Sequence, residues 1–583
     1  MSAAETRGIR FQPDETPAPA LSLGLGLQIV ILSLAGIILI PTIVMRAGGA
    51  SESYLSWAVF ATVAICGATT ILHAIRIWRI GTGHLVVMGP TGVYIAVCIT
   101  AVAEGGPALM ATLVVVSSVL PLVLAARLPL FQRLLTPTLS ATVLMLIPVT
   151  VMPAVFGLLT AVPDGTSVMA SALSALAVLL VIVGIALKVT DAPRLWAPIV
   201  GVVAGSVVAA AFGLYDTDRI IEAPWIGFPT GEWAGFDLEF GPAFWSLLPT
   251  FLLVTVIASV RTISGAVAIQ RVSWRRPRAV DFRAVQGAIT VDGLGNLLTG
   301  LAGTVPNAST TVGASVTELT GVASRSVGIA TGAILVVIAF LPKALAVVLA
   351  IPGPVVAAYL GVLLAMIFIV GMSVAMRDGI DYRKGLIIGV SFWVGIGFQY
   401  DMIYPEHVSG IAGGLLRNGV MTGGATAILM TLFVELTKPR RSQLVVAFET
   451  SSMPKIRSFL GILADRNGWG AAMAARLDAA CEETLLTLLH QDDGSDVANP
   501  GRRLRLAVHR EGTGAVVEFV VAAQDVNLQD RLALIGDEPG ATPAEREVSL
   551  RLLRGLASSV HHQQYHGVDI VTVRVAAPMS DAD

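Results

Sequence analysis

Arg261 interrupts an apolar run over residues 244–269 that is long enough, at 1.5 Å per residue, to cross a bilayer. A guanidinium at the centre of a membrane helix costs about 2.5 to 3.5 kcal/mol on insertion scales, so it persists where it faces a polar cavity, a partner or a ligand. It donates hydrogen bonds, accepts none and stays charged. The competing reading is a structural arginine bridging backbone carbonyls of neighbouring broken helices. Two other segments oppose a continuous helix: Met88-Gly89-Pro90-Thr91-Gly92-Val93-Tyr94 and Gly303-Thr304-Val305-Pro306-Asn307-Ala308-Ser309-Thr310-Thr311-Val312-Gly313. Gly and Pro there leave backbone groups that lipid cannot satisfy, so the breaks must line protein or a water-filled cavity. Ordinary kinks are the alternative. Two breaks at matched positions, the second rich in Ser, Thr and Asn, point instead to a substrate site at the midplane.

These residues sit in a chain of 583 residues that is 55% hydrophobic and 13% charged, against about 25% charged in an ordinary soluble chain. Apolar stretches recur across residues 23–436, about fourteen of them near the 20-residue length of a membrane span. The chain therefore reads as a polytopic membrane protein. Residues 1–22, with Glu5, Arg7, Arg10, Asp14 and Glu15, lack the apolar core of a signal peptide, and the first span is expected to be retained. Cys66, Cys98 and Cys481 have neither disulfide nor zinc spacing and read as small buried residues. Basic residues gather in alternate loops, such as Arg76 and Arg79, Arg127 and Arg133, Lys188 and Arg194, and Arg271 to Arg283. The positive-inside rule makes these loops, and with them both termini, cytoplasmic. The acidic loop over residues 215–241 divides the membrane part into two halves of similar size, and in each half the third span carries the break.

The pattern resembles the nucleobase/ascorbate transporters, the nucleobase:cation symporter-2 family of xanthine/uracil permeases. The closest match runs from Val291-Asp292-Gly293-Leu294-Gly295-Asn296 through Gly303-Thr304 and Pro306-Asn307 to Leu319-Thr320-Gly321-Val322-Ala323-Ser324-Arg325. It is supported in order by Gly89-Pro90-Thr91, by Phe131-Gln132-Arg133-Leu134-Leu135-Thr136-Pro137, by Ile351-Pro352-Gly353-Pro354-Val355 and by Ile380-Asp381-Tyr382-Arg383-Lys384. The resemblance covers residues 23–440. It implies an all-α membrane fold of about fourteen helices in two inverted seven-helix repeats, with core and gate domains and broken third and tenth helices. Substrate would lie between those breaks, facing the eighth span. The residues implied are Arg261, Thr91, Gly92, Val93, Tyr94, Ser309, Thr310, Thr311, Val312 and Gly313.

Two departures bear on chemistry. Many members carry a base-binding glutamate where Arg261 stands, and a second in the tenth-span break where the ungapped match puts Val312. An aromatic common after the Gly-Pro-Ser segment is replaced by Gly92, which leaves Tyr94 as the nearest ring. A carboxylate accepts hydrogen bonds from ring N–H groups and can carry a proton, whereas arginine only donates. An anion, such as urate, deprotonated xanthine or another small anion, becomes the expected substrate. Asp292 and Glu318 remain as candidates for a coupling H+ or Na+ site, with a helix cap or brace as the other role for Asp292.

After Lys438-Pro439-Arg440-Arg441 the composition turns soluble. Strand-length apolar runs fall at 444–448, 504–508, 516–521 and 568–575, with helical stretches at 455–465, 471–489 and 545–560. The order resembles the histidine-kinase-like ATPase fold of anti-sigma-factor kinases, through residues 477–490 and 547–557. Thr487 stands in place of the metal-binding asparagine, and Ala522-Ala523-Gln524-Asp525-Val526-Asn527 lacks the Asp-x-Gly-x-Gly loop. Mg²⁺ would lose a ligand, so a degenerate regulatory domain is expected. His561, His562 and His566 fit no metal spacing and read as a solvated loop.

The expected organisation is a cytoplasmic segment (1–22), a transporter domain (23–440) and a cytoplasmic α+β domain (441–583) in an inner (plasma) membrane protein. The leading function is secondary transport of a purine- or pyrimidine-type substrate. The alternatives are a membrane sensor signalling through the tail, an organic or inorganic anion transporter, or a channel-like anion pathway. Expected partners are the small-molecule substrate, H+ or Na+, the bilayer, a second copy in a homodimer and a cytoplasmic protein for the tail. No enzyme activity, cofactor, metal or nucleic acid is expected.

Overall fold

A computed structural model describes residues 8–131, 137–160, 162, 167–190, 192–229, 233–276, 278–376, 382–404, 416–436, 442–492, 503–511, 514–522, 527–534 and 545–576. Parts of three sequence motifs, at residues 132–136, 380–381 and 438–441, and most of the loop after residue 522 lie outside the described residues. The chain forms two compact units: residues 1–276 with 284–436, and residues 277–283 with 437–583.

In the first unit the helices are α1 (Pro19–Ala47), α2 (Glu52–Ile75), α3 (Ile95–Ala126), α4 (Leu128–Phe131), α5 (Pro137–Gly157), α6 (Val168–Lys188), α7 (Ala197–Ala211), α8 (Thr217–Glu222), α9 (Pro242–Val272) and α10 (Phe282–Leu301), the first two residues of which belong to the second unit. They continue with α11 (Val312–Thr320), α12 (Arg325–Ala339), α13 (Pro342–Leu349), α14 (Gly353–Met376), α15 (Tyr382–Gln399) and α16 (Gly419–Leu436). Two short strands, β1 (Val87–Pro90) and β2 (Asn307–Thr310), replace helix at the two breaks. Eight helices among the described residues are long and apolar enough to cross a membrane, or nine if the pair α12 and α13, bent by 85°, counts as one span. α3 continues from the first break through a bend at Gly105 and Gly106, where Gly106 takes φ 71°, a backbone conformation that disfavours a side chain.

Packing sorts the helices into two groups. α1, α2, α3, α9 and α12 pack together, as do α5, α6, α7, α14, α15 and α16. The α2–α12 crossing is close because glycines face each other: a Cβ on Gly67 would stand 2.7 Å from the Gly332 carbonyl oxygen, and one on Gly332 2.5 Å from that of Gly67. Large apolar side chains such as Leu180, Leu187, Val207, Trp393 and Phe433 point outward, as surfaces facing lipid tails require.

The second unit holds one antiparallel sheet in the order β3-β4-β5-β7-β6, from β3 (Ser442–Ala447), β4 (Arg503–Glu511), β5 (Gly514–Val521), β6 (Ser559–Tyr565) and β7 (Val568–Val575). Its helices are α17 (Met453–Asn467), α18 (Ala471–Asp492), α19 (Leu528–Leu534) and α20 (Glu545–Leu556). Alternate residues of β5 and β7, among them Val517, Phe519, Val571 and Val573, join Leu477, Cys481 and Leu488 of α18 in one core. Burial pushes the Cys481 thiol pKa upward, which keeps it protonated and apolar in character.

Here the structure corrects the sequence reading twice. The last helix ends at Leu556, and residues 559–565 form a strand rather than a helix end and loop. His562 is therefore no solvated loop residue: its ring is buried, with Nε2 3.0 Å from Asp569 Oδ2 and Nδ1 accepting the Leu528 backbone N–H at 2.9 Å. The alternating pattern of β6 is carried by polar side chains that satisfy one another, which hides it from a hydrophobicity scan.

Candidate substrate site

The site begins with two extended segments that cannot be helical. Pro90 lacks a donor and Gly89 lacks a side chain, and the matching segment 307–310 follows Pro306. They meet as an antiparallel pair in which Val87 faces Thr310, Met88 faces Ser309, Gly89 faces Ala308 and Pro90 faces Asn307. Each strand thereby pairs backbone that lipid would leave open. Side chains, two of them from flanking helices, satisfy further backbone groups. Thr70 Oγ1 accepts the Met88 N–H at 3.0 Å, Asn296 Oδ1 accepts the Asn307 N–H at 2.8 Å, and Thr310 Oγ1 donates to the Val87 carbonyl at 2.9 Å.

Each strand leads into a helix start. A 3-10 turn over Gly92–Tyr94 opens α3 after β1, and Thr311 precedes α11 after β2. The positive ends of both helix dipoles therefore lie beside the strand pair. Gly313 in the first turn of α11 lies against the chain before β1, and a Cβ there would stand 2.2 Å from the Leu85 carbonyl oxygen. Gly313→Ala is expected to destabilise the protein by about 1–3 kcal/mol through overpacking against backbone. A lowered unfolding temperature of the purified variant in detergent checks this, and an unchanged one refutes it.

Arg261 reaches this junction from α9, donating from Nη1 to Thr91 Oγ1 at 2.7 Å. The two line a cavity of about 230 Å³ together with Gly92, Ser309, Thr310 and Val312 from the breaks, Ser33 and Gly36 from α1, and Tyr359 and Leu363 from α14. The cavity thus lies between the two helix groups. One residue after Arg261, Thr262 donates its hydroxyl to Asp292 Oδ2. Ser309 donates to the other carboxylate oxygen at 3.1 Å. Ser309 Oγ also lies 3.3 Å from His73 Nε2, so His73, Ser309 and Asp292 form a continuous buried chain. His73 Nδ1 is buried with no partner among the described residues.

The structure brings most of the expected residues together, with four exceptions. Val93 lines a different cavity. Tyr94 is buried behind the turn, its hydroxyl donating to Thr255 Oγ1 at 3.0 Å. Thr311 is exposed ahead of α11, and Gly313 serves the close backbone contact rather than the cavity wall. Of the two acidic candidates, Asp292 is buried beside the strands, while Glu318 is exposed on α11 and not part of the lining. Thr262, His73 and Tyr359 escaped the sequence reading. Position 262, next to a charge at membrane depth, was the available signal; His73 and Tyr359 are distant in sequence from either break.

Apolar spans, two broken helices paired through their backbones, and a guanidinium in the cavity they form define a membrane transporter. A family model described as Permease family (Xan_ur_permease) matches residues 21–403. Uric acid permease PucK of Bacillus subtilis (strain 168) is 26% identical over 426 residues, 72% of this chain and 97% of that protein. Xanthine permease XanP of Escherichia coli (strain K12) is 27% identical over 399 residues, 66% of this chain and 84% of that protein. Among solved structures, the transmembrane domain of a cyanobacterium bicarbonate transporter BicA aligns at a TM-score of 0.44 and 16% identity, over 73% of this chain and 100% of that one. The chain belongs to the xanthine/uracil permease family: it is an integral membrane transporter and not an enzyme.

Proposed function

We propose that this protein is a secondary transporter in the plasma membrane that moves a purine-type anion, urate or deprotonated xanthine, with Arg261 as its counter-ion. One observation carries the reading: the hydrogen-bond partner of the Arg261 guanidinium is the neutral Thr91 hydroxyl, in the wall of a cavity of about 230 Å³. A cation so placed is left for the substrate to neutralise. The helix starts at α3 and α11 add positive potential on the same side. The names of the relatives, a uric acid permease and a xanthine permease, support the substrate class. Asp292, held by hydroxyls rather than by a cation, is the coupling group, and the helix groups α1–α3 with α9 and α12, and α5–α7 with α14–α16, move past each other to alternate access. Uptake of labelled urate, xanthine, uracil and sulfate into cells making the protein tests the reading. Urate or xanthine uptake is expected; transport of neutral uracil alone defeats it.

The tail acts as a regulatory module on this transporter. Its compact unit includes residues 277–283, the segment that joins α9, which carries Arg261, to α10, which carries Asp292. Within that unit the Ala279 N–H donates to Asp530 Oδ1 at 2.5 Å, Asp281 bridges Gln564 on the edge strand β6, and the Phe282 ring lies 5.0 Å from that of Tyr565. Thr487 is buried with its hydroxyl donating to the Glu483 carbonyl at 2.6 Å, which supports a role without ATP chemistry. Loosening the hold on the joining segment frees the two site helices. Phe282→Ala in the full chain is expected to raise the maximal uptake rate about two- to fivefold with KM unchanged, as for a gating step. An unchanged rate, or a change in KM alone, contradicts it.

A further inference from the structure

A second cavity, of about 300 Å³, lies along α3 and α9 from the Arg261 cavity. The two share their walls: Gly92 lines one and its neighbour Val93 the other, and on α9 the residues Leu247, Thr250 and Val254 of the second cavity continue at the next seven-residue step to Arg261. Spacings of three, four and seven keep these four side chains on one helix face. Thr250 and Arg261 are about 16 Å apart along the axis. On α9 and α16 its lining residues lie toward the helix ends opposite the basic loops, and its far wall comes from α5, α15 and α16.

Its chemistry differs from that of the Arg261 cavity. Glu104 of α3 lines it with no ion-pair partner among the described residues, whereas Arg417 is neutralised by Asp401 at 3.0 Å. The unbalanced charge is therefore negative. Gln399 and Arg417 add N–H donors to the lining. Thr250 is 1% exposed, and its hydroxyl has no partner among the described residues, although Ser246, Thr255 and Ser259 on the same helix each donate to a backbone carbonyl. A buried orphan hydroxyl is costly, and a bound ligand's polar group would offset that cost.

We propose that this cavity is a separate entry site for a neutral lactam-bearing heterocycle, whose ring N–H is accepted by Glu104 and whose carbonyl oxygen takes hydrogen bonds from Gln399, Arg417 and Thr250. It rests on the transport reading above and adds a second specificity: the entry site selects the neutral form of a base such as xanthine, whose deprotonated form the Arg261 site holds.

Thr100, half-buried in the same wall, provides the probe, because Cys66, Cys98 and Cys481 are all buried. The Thr100→Cys full-length protein in intact cells is treated with a membrane-impermeant maleimide, with xanthine or uracil added. The expected result is labelling from outside, slowed at least fivefold by the base, with protection kept in Arg261→Gln and reduced at least tenfold in Glu104→Gln. Glu104→Gln alone is expected to raise KM for xanthine about tenfold with the maximal rate within twofold. No labelling from outside, or labelling that no base slows while Arg261-dependent uptake persists, overturns the entry site alone. Absence of uptake for every base by the parent protein overturns the transport reading on which it rests.

Discussion

Urate uptake by the Arg261→Glu variant is expected to fall by about 100-fold or more, while uptake of neutral bases rises above background. A charge-assisted contact to a bound anion contributes about 1.5–3 kcal/mol, or roughly tenfold to 150-fold, and the carboxylate adds like-charge repulsion. The same carboxylate accepts ring N–H groups, so a neutral base gains what the anion loses. Arg261→Lys retains the charge but loses the planar fork that reaches Thr91 Oγ1 at 2.7 Å, and is expected to retain about a tenth of the parent's urate rate. Initial rates of labelled urate and uracil, normalised to protein at the cell surface, measure both. Urate uptake unaltered by Arg261→Glu would place the anion elsewhere and return Arg261 to a structural role.

The Asp292→Asn variant is expected to lose concentrative uptake and its pH dependence while still exchanging substrate across the membrane. Asp292 is 2% exposed and is held by hydroxyls of Thr262 and Ser309, the first adjacent to Arg261 and the second in the cavity wall. A carboxyl so placed can couple substrate occupancy to its own protonation through these two hydrogen bonds. The amide matches it in shape and keeps an acceptor oxygen, so the packing survives while the exchangeable charge is removed. Accumulation should drop at least about tenfold, with half-saturation for exchange within about threefold of the parent. Uptake against pH, paired with counterflow in vesicles, separates the two effects. Accumulation with the parent's pH profile would show that coupling runs through another group.

Much of the site was legible because its signals are local. A charge in an apolar run, and Gly and Pro in two spans, can be recognised within twenty residues. Thr91, Gly92, Ser309, Thr310 and Val312 followed from the breaks and do line the Arg261 cavity. Val93, one residue further on, turns to the other cavity because a 3-10 turn rotates successive side chains apart. Glu318 and Asp292 look alike as acids near a break; the exposed face of α11 and the interior of α10 separate them. In the tail, alternating apolar residues disclosed β5 and β7, whereas β6 hid behind a buried His562–Asp569 pair that no hydropathy pattern records.

By itself the sequence determined that the chain spans a membrane, that two spans break, and that an arginine sits at depth between them, since bilayer thickness and backbone hydrogen bonding act on contiguous residues. Only the tertiary structure decided which hydroxyl meets the guanidinium, which carboxyl is buried against Ser309, and that residues 277–283 belong to the tail's compact unit. Those contacts join residues far apart in the chain, 170 positions for Thr91 and Arg261 and 251 for Ala279 and Asp530, and the ones at the site depend on how closely the helices approach, which glycine-lined crossings and paired strands set.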